Sequence, residues 1–438
     1  QGRRQEAIDR NSRFPFPVSN IDAVILSHAH IDHSGNLPAL VKNGFSGPIY
    51  TTPATVDLCA AMLADSGHLQ EKDAEFLNKR LRRRRSVDPA AEGQTIEPLY
   101  TMADAQKTQP LFRPVNLGAP TEIGAGLRYR SYDAGHILGS TSMVLDLSGG
   151  QRPVRLAFSG DVGRRGLPII RDPQPLPPVD YLIMESTYGD RQHEAIAPVK
   201  DKLAGVINRT AGRGGKIIVP AFAVGRTQQL VLLLHQLMDE KRIPAIPMFV
   251  DSPLAVNVTE VFRNHPECFD EEPNEFLSNH EDPFGFSRLR YVRDVNESKA
   301  LNDLRGPFLV ISASGMCEAG RVLHHLRNNI GDPRNTVLIT GFQAEHTLGR
   351  KIEEKRAEVP IFGEPMALQA EVDALDALSG HADQRELLEW MTPMTPTLRK
   401  VFLVHGEEGQ GRALAAAIEE RHKVPVLQPA RGQSVLLE

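Results

Sequence analysis

Between Ser27 and Gly35 the chain reads SHAHIDHSG, which puts three histidines and an aspartate into the six positions 28 to 33, directly after the apolar run AVIL. Taken singly, each of these histidines reads as a solvated loop residue, because a lone histidine is usually structural. The spacing argues otherwise. In His28-x-His30-x-Asp32-His33, alternate residues of an extended turn can aim His28 and His30 at one point while Asp32 and His33 reach a second point nearby. Neutral imidazole and carboxylate are the ligands expected of zinc and its neighbours, and the lack of a nearby Cys disfavours a closed structural zinc site. The pattern is that of an open, catalytic site.

Further residues of the same chemistry stand just past strand-like runs: His136 in AGHILGS, Asp161 in FSGDVG, Glu185 in MESTYGD, His381 in LSGHADQ and His405 in FLVHGEE. Together these nine residues suffice for two metals. His28, His30 and His136 are assigned to the first, Asp32, His33 and His405 to the second, with Asp161 bridging. Such a site lowers the pKa of water enough to supply hydroxide near neutral pH. Two dications, two ligand carboxylates and one hydroxide sum to a charge of about +1, which suits a singly charged phosphodiester. A leaving ribose or deoxyribose alkoxide still needs a proton. His381, not required as a ligand, is the candidate general acid, with Glu185 holding its ring and Asp32 counted among the catalytic residues.

The elements that must position these residues are legible as apolar runs. AVIL (23–26), GPIY (47–50), GLRYRSY (126–132), SMVLDL (142–147), VRLAF (154–158) and DYLIM (180–184) read as strands, several ending on a candidate ligand. From about 193 the rhythm tightens to a strand–helix alternation through KIIVP, IPMFV, PFLVI and NTVLIT, the signature of a parallel, doubly wound α/β layer. Near 358 metal-type punctuation returns. The expected architecture is α/β throughout, with residues 193–358 inserted as a second domain between 1–192 and 359–438. RDPQPLPP at 171–178 reads as a linker, and there is no internal repeat.

With 438 residues, 41% apolar and 24% charged, the chain is a globular composition with no core shortage. Cys59, Cys268 and Cys317 are too few and scattered for a disulfide framework, so a reducing cytoplasm is expected. No apolar run is long enough to span a membrane. The formal charge of −5 gives no global attraction to nucleic acid, so a polyanion would be held by a local groove. Lys79, Arg80, Arg82, Arg83, Arg84 and Arg85 form one basic cluster, read as a solvated helix face or as an RNA-contacting patch.

The ordered set SHAHIDHSG, AGHILGSTS, FSGDVGR, ESTYGDR, PAFAVGRTQQL, VDSPLA, SASGM, SGHADQ and LVHGE resembles the β-CASP branch of metallo-β-lactamase-fold nucleases, from Gln1 to about Gly406. The resemblance implies a metallo-β-lactamase αββα sandwich carrying an inserted β-CASP domain, two zinc ions per chain, and single-stranded RNA clamped by the insert across the metal cleft. It also implies phosphate contacts at Ser252 in VDSPLA and at Ser314 and Gly315 in SASGM, where small residues admit backbone amides to an anion. Strands carrying an acidic motif that precede QGRRQ in the family are expected to be missing. His346 in QAEHTLGR departs from the family pattern and is read as structural.

Four alternatives compete with an RNA phosphodiesterase. A DNA nuclease of the cross-link repair type generally has an apolar residue where His405 stands. A small-molecule thioester or lactam hydrolase has no need of a long clamp, and a silent scaffold subunit loses ligands that are kept here. The loops GDVGRRG and SASGMCEAG are incomplete as phosphate-binding fingerprints for a nucleotide-binding protein. Endonuclease and 5′-exonuclease action are not separated by the sequence, and a homodimer stays open.

Overall fold

The computed structural model describes residues 11–87, 95–150, 152–279 and 281–437. Three sheets position the site. A parallel three-stranded sheet joins Val24–Ile25, Ile49–Thr51 and Phe112–Pro114, and the SHAHIDHSG turn leaves its first strand. A seven-stranded sheet runs in the order Val426–Leu427, Lys400–Val404, Tyr181–Glu185, Val154–Phe158, Thr141–Leu147, Leu127–Asp133, Thr121–Gly124. Its first four strands are parallel and the rest antiparallel. The two sheets meet behind the site, where Thr141 N–H donates to the Ser27 carbonyl at 2.9 Å.

The third sheet is wholly parallel, in the order Leu289–Tyr291, Met248–Val250, Leu309–Ser312, Ile217–Pro220, Thr336–Ile339, Glu371–Ala374. Its strands are continuous apolar runs because both faces are covered. Alternate residues feed two cores: Ile217, Val219, Leu309 and Ile311 one, Ile218, Val310, Val337 and Ile339 the other. The edge strand Glu371–Ala374 lies beyond the boundary expected at 358, so this sheet extends into the segment assigned to the first domain. A hairpin, Glu358–Ile361 with Glu364–Ala367, occupies the intervening chain.

The helix Gln384–Met391 covers the seven-stranded sheet through Leu387, Leu388, Trp390 and Met391. It opens with a capping box in which Asp383 accepts from Glu386 N–H and Glu386 accepts from Asp383 N–H, which fixes the loop carrying His381. The basic cluster falls at the end of the long helix Pro53–Val87. Lys79 and Arg82 are exposed there, whereas the side chains of Arg80 and Arg83 to Arg85 lie outside the described residues. The expected loss of N-terminal strands concerns chain outside the described residues as well. All three cysteines are free and buried. Among the described residues no helix is long and apolar enough to cross a membrane.

Candidate metal centre

Backbone loops from four parts of the chain are locked together at one end of the sheets. Ala382 N–H donates to the Val162 carbonyl at 2.7 Å, and Gly163 N–H to the Ala134 carbonyl at 2.7 Å. Glycine is required at 163, because a Cβ there would lie 1.6 Å from the Gly135 carbonyl oxygen. Asp32 and His33 stand on a single helical turn, Ile31–Ser34, rather than on extended chain. Ser34 Oγ ties that turn back to the Ala29 carbonyl at 2.7 Å. His405 follows the strand Lys400–Val404 in the left-handed region at φ 49°, a conformation costly for a residue with a Cβ.

The side chains converge in two groups. His28, His30, His136 and Asp161 bring one ligand atom each to within 4.8 Å of one another, and Asp32, His33 and His405 do the same beside them. Asp161 Oδ2 lies 3.4 Å from His28 Nε2, 3.6 Å from His136 Nε2 and 3.2 Å from His33 Nε2, so this carboxylate touches both groups. His30 Nδ1 stands 3.0 Å from His136 Nε2. In the second group His405 Nε2 is 3.3 Å from His33 Nε2 and 3.2 Å from Asp32 Oδ2. The first group is the deeper, with the His28 side chain fully buried, whereas that of Asp32 is 40% exposed.

Three rings are set by partners on Nδ1, which leaves Nε2 for the centre. His136 Nδ1–H donates to the Gly380 carbonyl at 2.8 Å, so its Nε2 carries the lone pair. His28 Nδ1 lies 3.1 Å from Ser27 Oγ, and His405 Nδ1 3.1 Å from Thr187 Oγ1. Burial pulls the His28, His30 and His136 imidazoles below their ordinary value, His30 to about 4, which keeps them in the neutral form that ligates metals. Burial opposes ionisation of Asp161 and Asp32 too, but the surrounding imidazoles hold both carboxyls below the usual range. Against burial, the Asp32, Asp161 and Glu185 carboxylates raise His405 to about 9. A cation bound there would take that proton's place.

The donor set fits zinc. His28 Nε2 and Asp161 Oδ1 are buried with no hydrogen-bond partner, an arrangement costly unless something binds them. His381 stands apart from both groups: its Nδ1 is 2.9 Å from Glu185 Oε2 and 4.0 Å from Asp161 Oδ2. Glu185 is itself buried, and its Oε1 accepts from Val162 N–H at 2.6 Å. Burial lowers the His381 pKa, yet Glu185 and Asp161 raise it above the ordinary imidazole value.

Residues 2–206 match the Beta-lactamase superfamily domain, 227–352 the Beta-Casp domain, and 365–429 the Zn-dependent metallo-hydrolase RNA specificity domain. Over 417 residues the chain is 33% identical to "Ribonuclease TTHA0252" of Thermus thermophilus, covering 95% of this chain and 88% of that protein. The chain belongs to the β-CASP family of metallo-β-lactamase-fold, RNA-specific nucleases. It is a zinc-dependent metallo-hydrolase with an RNA specificity domain. Archaeal β-CASP relatives include "Transcription termination factor FttA" of Methanosarcina mazei and of Pyrococcus abyssi, each 30% identical over 93% and 95% of this chain. The chain spans 62% of the length of either protein.

The β-CASP serines proposed for phosphate have local partners. Ser252 is buried, and its Oγ caps the helix Pro253–Asn264 by accepting from Ala255 N–H at 3.2 Å. Ser314 Oγ accepts from Glu318 N–H at 3.1 Å within its own loop. Gly315 owes its lack of a side chain to Phe222, whose ring a Cβ would meet at 2.8 Å. Phe222 is exposed on the same rim. His346 is exposed and takes no part in either group. Ser27, Thr187 and the Gly380 carbonyl, which orient the His28, His405 and His136 rings, carry no signal of that role in their residue types. All three adjoin ligands or lie within the quoted motifs, so adjacency alone was the available signal.

Proposed function

We propose that this chain cleaves single-stranded RNA phosphodiester bonds at a dinuclear zinc centre. His28, His30 and His136 would hold one ion, Asp32, His33 and His405 the other, with Asp161 shared. The sharing of Asp161 between the two side-chain groups is the observation that carries the reading. Zinc bound there would supply Lewis acidity, acidifying water near neutral pH and offsetting phosphate charge. The chain's own residues do the rest. His381, its Nδ1 engaged by Glu185, presents the opposite ring nitrogen and donates a proton to the departing ribose oxygen. Glu185 holds that ring in one orientation and favours its protonated form, while Val162 N–H and the Asp383–Glu386 cap keep both loops in place. The inserted layer would hold the strand, with Ser314 and Gly315 on its rim. The name of the Thermus relative, a ribonuclease, supports RNA as substrate.

The test is zinc-loaded protein on RNA labelled at either end, alongside single-stranded DNA and a thioester. RNA products of intermediate length would show internal cleavage, and mononucleotides from the 5′ end exonuclease action. Faster turnover of the DNA or the thioester would refute the assignment.

A further inference from the structure

Two buried arginines flank the centre, and only one of them is fully partnered. Arg164 donates from Nε to Glu386 at 3.2 Å and from its two terminal nitrogens to the Ala377 and Glu194 carbonyls at 2.5 and 3.0 Å. Arg226, in PAFAVGRTQQ, is 8% exposed. The one hydrogen bond of its side chain among the described residues runs from Nη1 to the neutral Gln229 Oε1 at 2.7 Å, and its Nε is buried without a partner. No described carboxylate forms an ion pair with it. An arginine keeps its charge in proteins, so this is a buried cation lacking its anion, an unfavourable state unless a ligand completes it.

Its location says which ligand. Arg226 opens the 14-residue helix Arg226–Asp239, whose first two N–H groups are taken by the Val224 and Phe222 carbonyls at 3.0 and 3.3 Å, so the guanidinium and not the helix end is the open donor. Gly225 packs on Ile137, next to the ligand His136, and the Arg226 charge is acted on by Tyr188, whose ring centroid lies 6.1 Å from that of His381. The guanidinium thus sits at the seam between the inserted layer and the metal centre. A forked donor in a water-poor setting suits a tetrahedral oxyanion.

We propose that the Arg226 guanidinium forms a phosphate subsite, binding a backbone phosphate of the RNA that flanks the one being cleaved. This rests on the nuclease reading. Gly225, which precedes Arg226, meets Ile137 beside His136, so a phosphate held by Arg226 would flank the group being cleaved.

The test measures binding by fluorescence anisotropy, in a zinc-loaded His381→Ala background that leaves RNA intact. The probe is a single-stranded oligoribonucleotide in which one linkage at a time is replaced by uncharged methylphosphonate. Arg226→Gln should weaken binding of the unmodified strand about 10- to 100-fold, as expected for losing a charge-assisted hydrogen bond. Zinc content should not change, and without RNA the variant should melt no lower than its parent, since little native bonding is lost. One linkage should matter when Arg226 is present and become silent in Arg226→Gln. Arg226→Lys, which keeps a point charge but not the fork, should recover part of the affinity, and it carries the scan should the glutamine variant not fold. Equal affinities, or effects that add at every linkage, would overturn the subsite. Should the parent protein bind no RNA, the nuclease reading falls, and inorganic pyrophosphate judges the subsite alone. A larger rise in melting temperature in the parent than in Arg226→Gln supports it, and equal rises overturn it.

Discussion

His381 and His405 stack with ring centroids 6.0 Å apart, yet replacing them should have different consequences. His405→Ala removes Nε2 from the group in which it stands 3.2 Å from Asp32 and 3.3 Å from His33, leaving that metal with two ligands and the shared Asp161. This is also the more exposed group, from which a weakened ion escapes readily. The variant should therefore hold about half the zinc of the parent and lose its activity. His381→Ala removes a ring whose Nδ1 belongs to Glu185, so both metals should stay. Turnover should fall by about 10²- to 10⁴-fold, a rise of roughly 3–5 kcal/mol in the barrier. Zinc is counted by atomic absorption after gel filtration, and rates are measured on RNA and on a nitrophenyl phosphodiester, whose leaving group departs without a proton. The activated substrate should restore much of the rate in His381→Ala and none in His405→Ala. Loss of zinc from His381→Ala, or rescue of neither variant, would refute the division of roles.

The intact chain should bind two zinc equivalents, read by titration against a chromophoric chelator; full activity at one equivalent would remove the dinuclear mechanism. Gly163→Ala should cost roughly 3 kcal/mol of stability and loosen zinc, because its Cβ would force the Gly135 carbonyl and the adjoining His136 loop to move; circular dichroism melts and zinc content measure this. Burial raises the Asp133 carboxyl to about 6 despite its bond from Gly135 N–H and the charge of Arg171. The folded state therefore holds this proton more tightly than the unfolded chain, and ionisation destabilises the fold progressively from about pH 4 to 6 by an amount on the order of 3 kcal/mol, constant above that range. Zinc-free Asp133→Asn should accordingly melt higher than its parent at pH 7.5, with the gap closing by pH 4; a gap independent of pH would contradict the shift.

The strands of the site were legible because each is an apolar run ending on a polar residue: DYLIM became Tyr181–Glu185, VRLAF became Val154–Phe158, and KIIVP the fully buried Ile217–Pro220. That these histidines and carboxylates would come together was legible as well, since strand ends gather at one edge of a sheet. Glu371–Ala374 escaped notice because EVDA alternates charge with small apolar residues and is half-buried, so its place is decided by pairing with Thr336–Ile339. In the preceding hairpin the turn residues Phe362 and Gly363 both take positive φ, and a phenylalanine there masks the turn signal. Arg226 reads as an ordinary polar residue at a helix start. Its burial comes from the folded packing, which sequence distance hides.

The second group of ligands joins residues 373 positions apart, Asp32 and His405. At about 5–20 residues per second of synthesis, roughly 20–75 s pass between the two. From residue 161 to residue 380 of that interval a growing chain owns His28, His30, His136 and Asp161, but neither His405, proposed to complete the second metal, nor His381, the proposed proton donor. On the proposed mechanism, the chain would therefore be unable to cut the message it is being read from until most of its own coding sequence has passed.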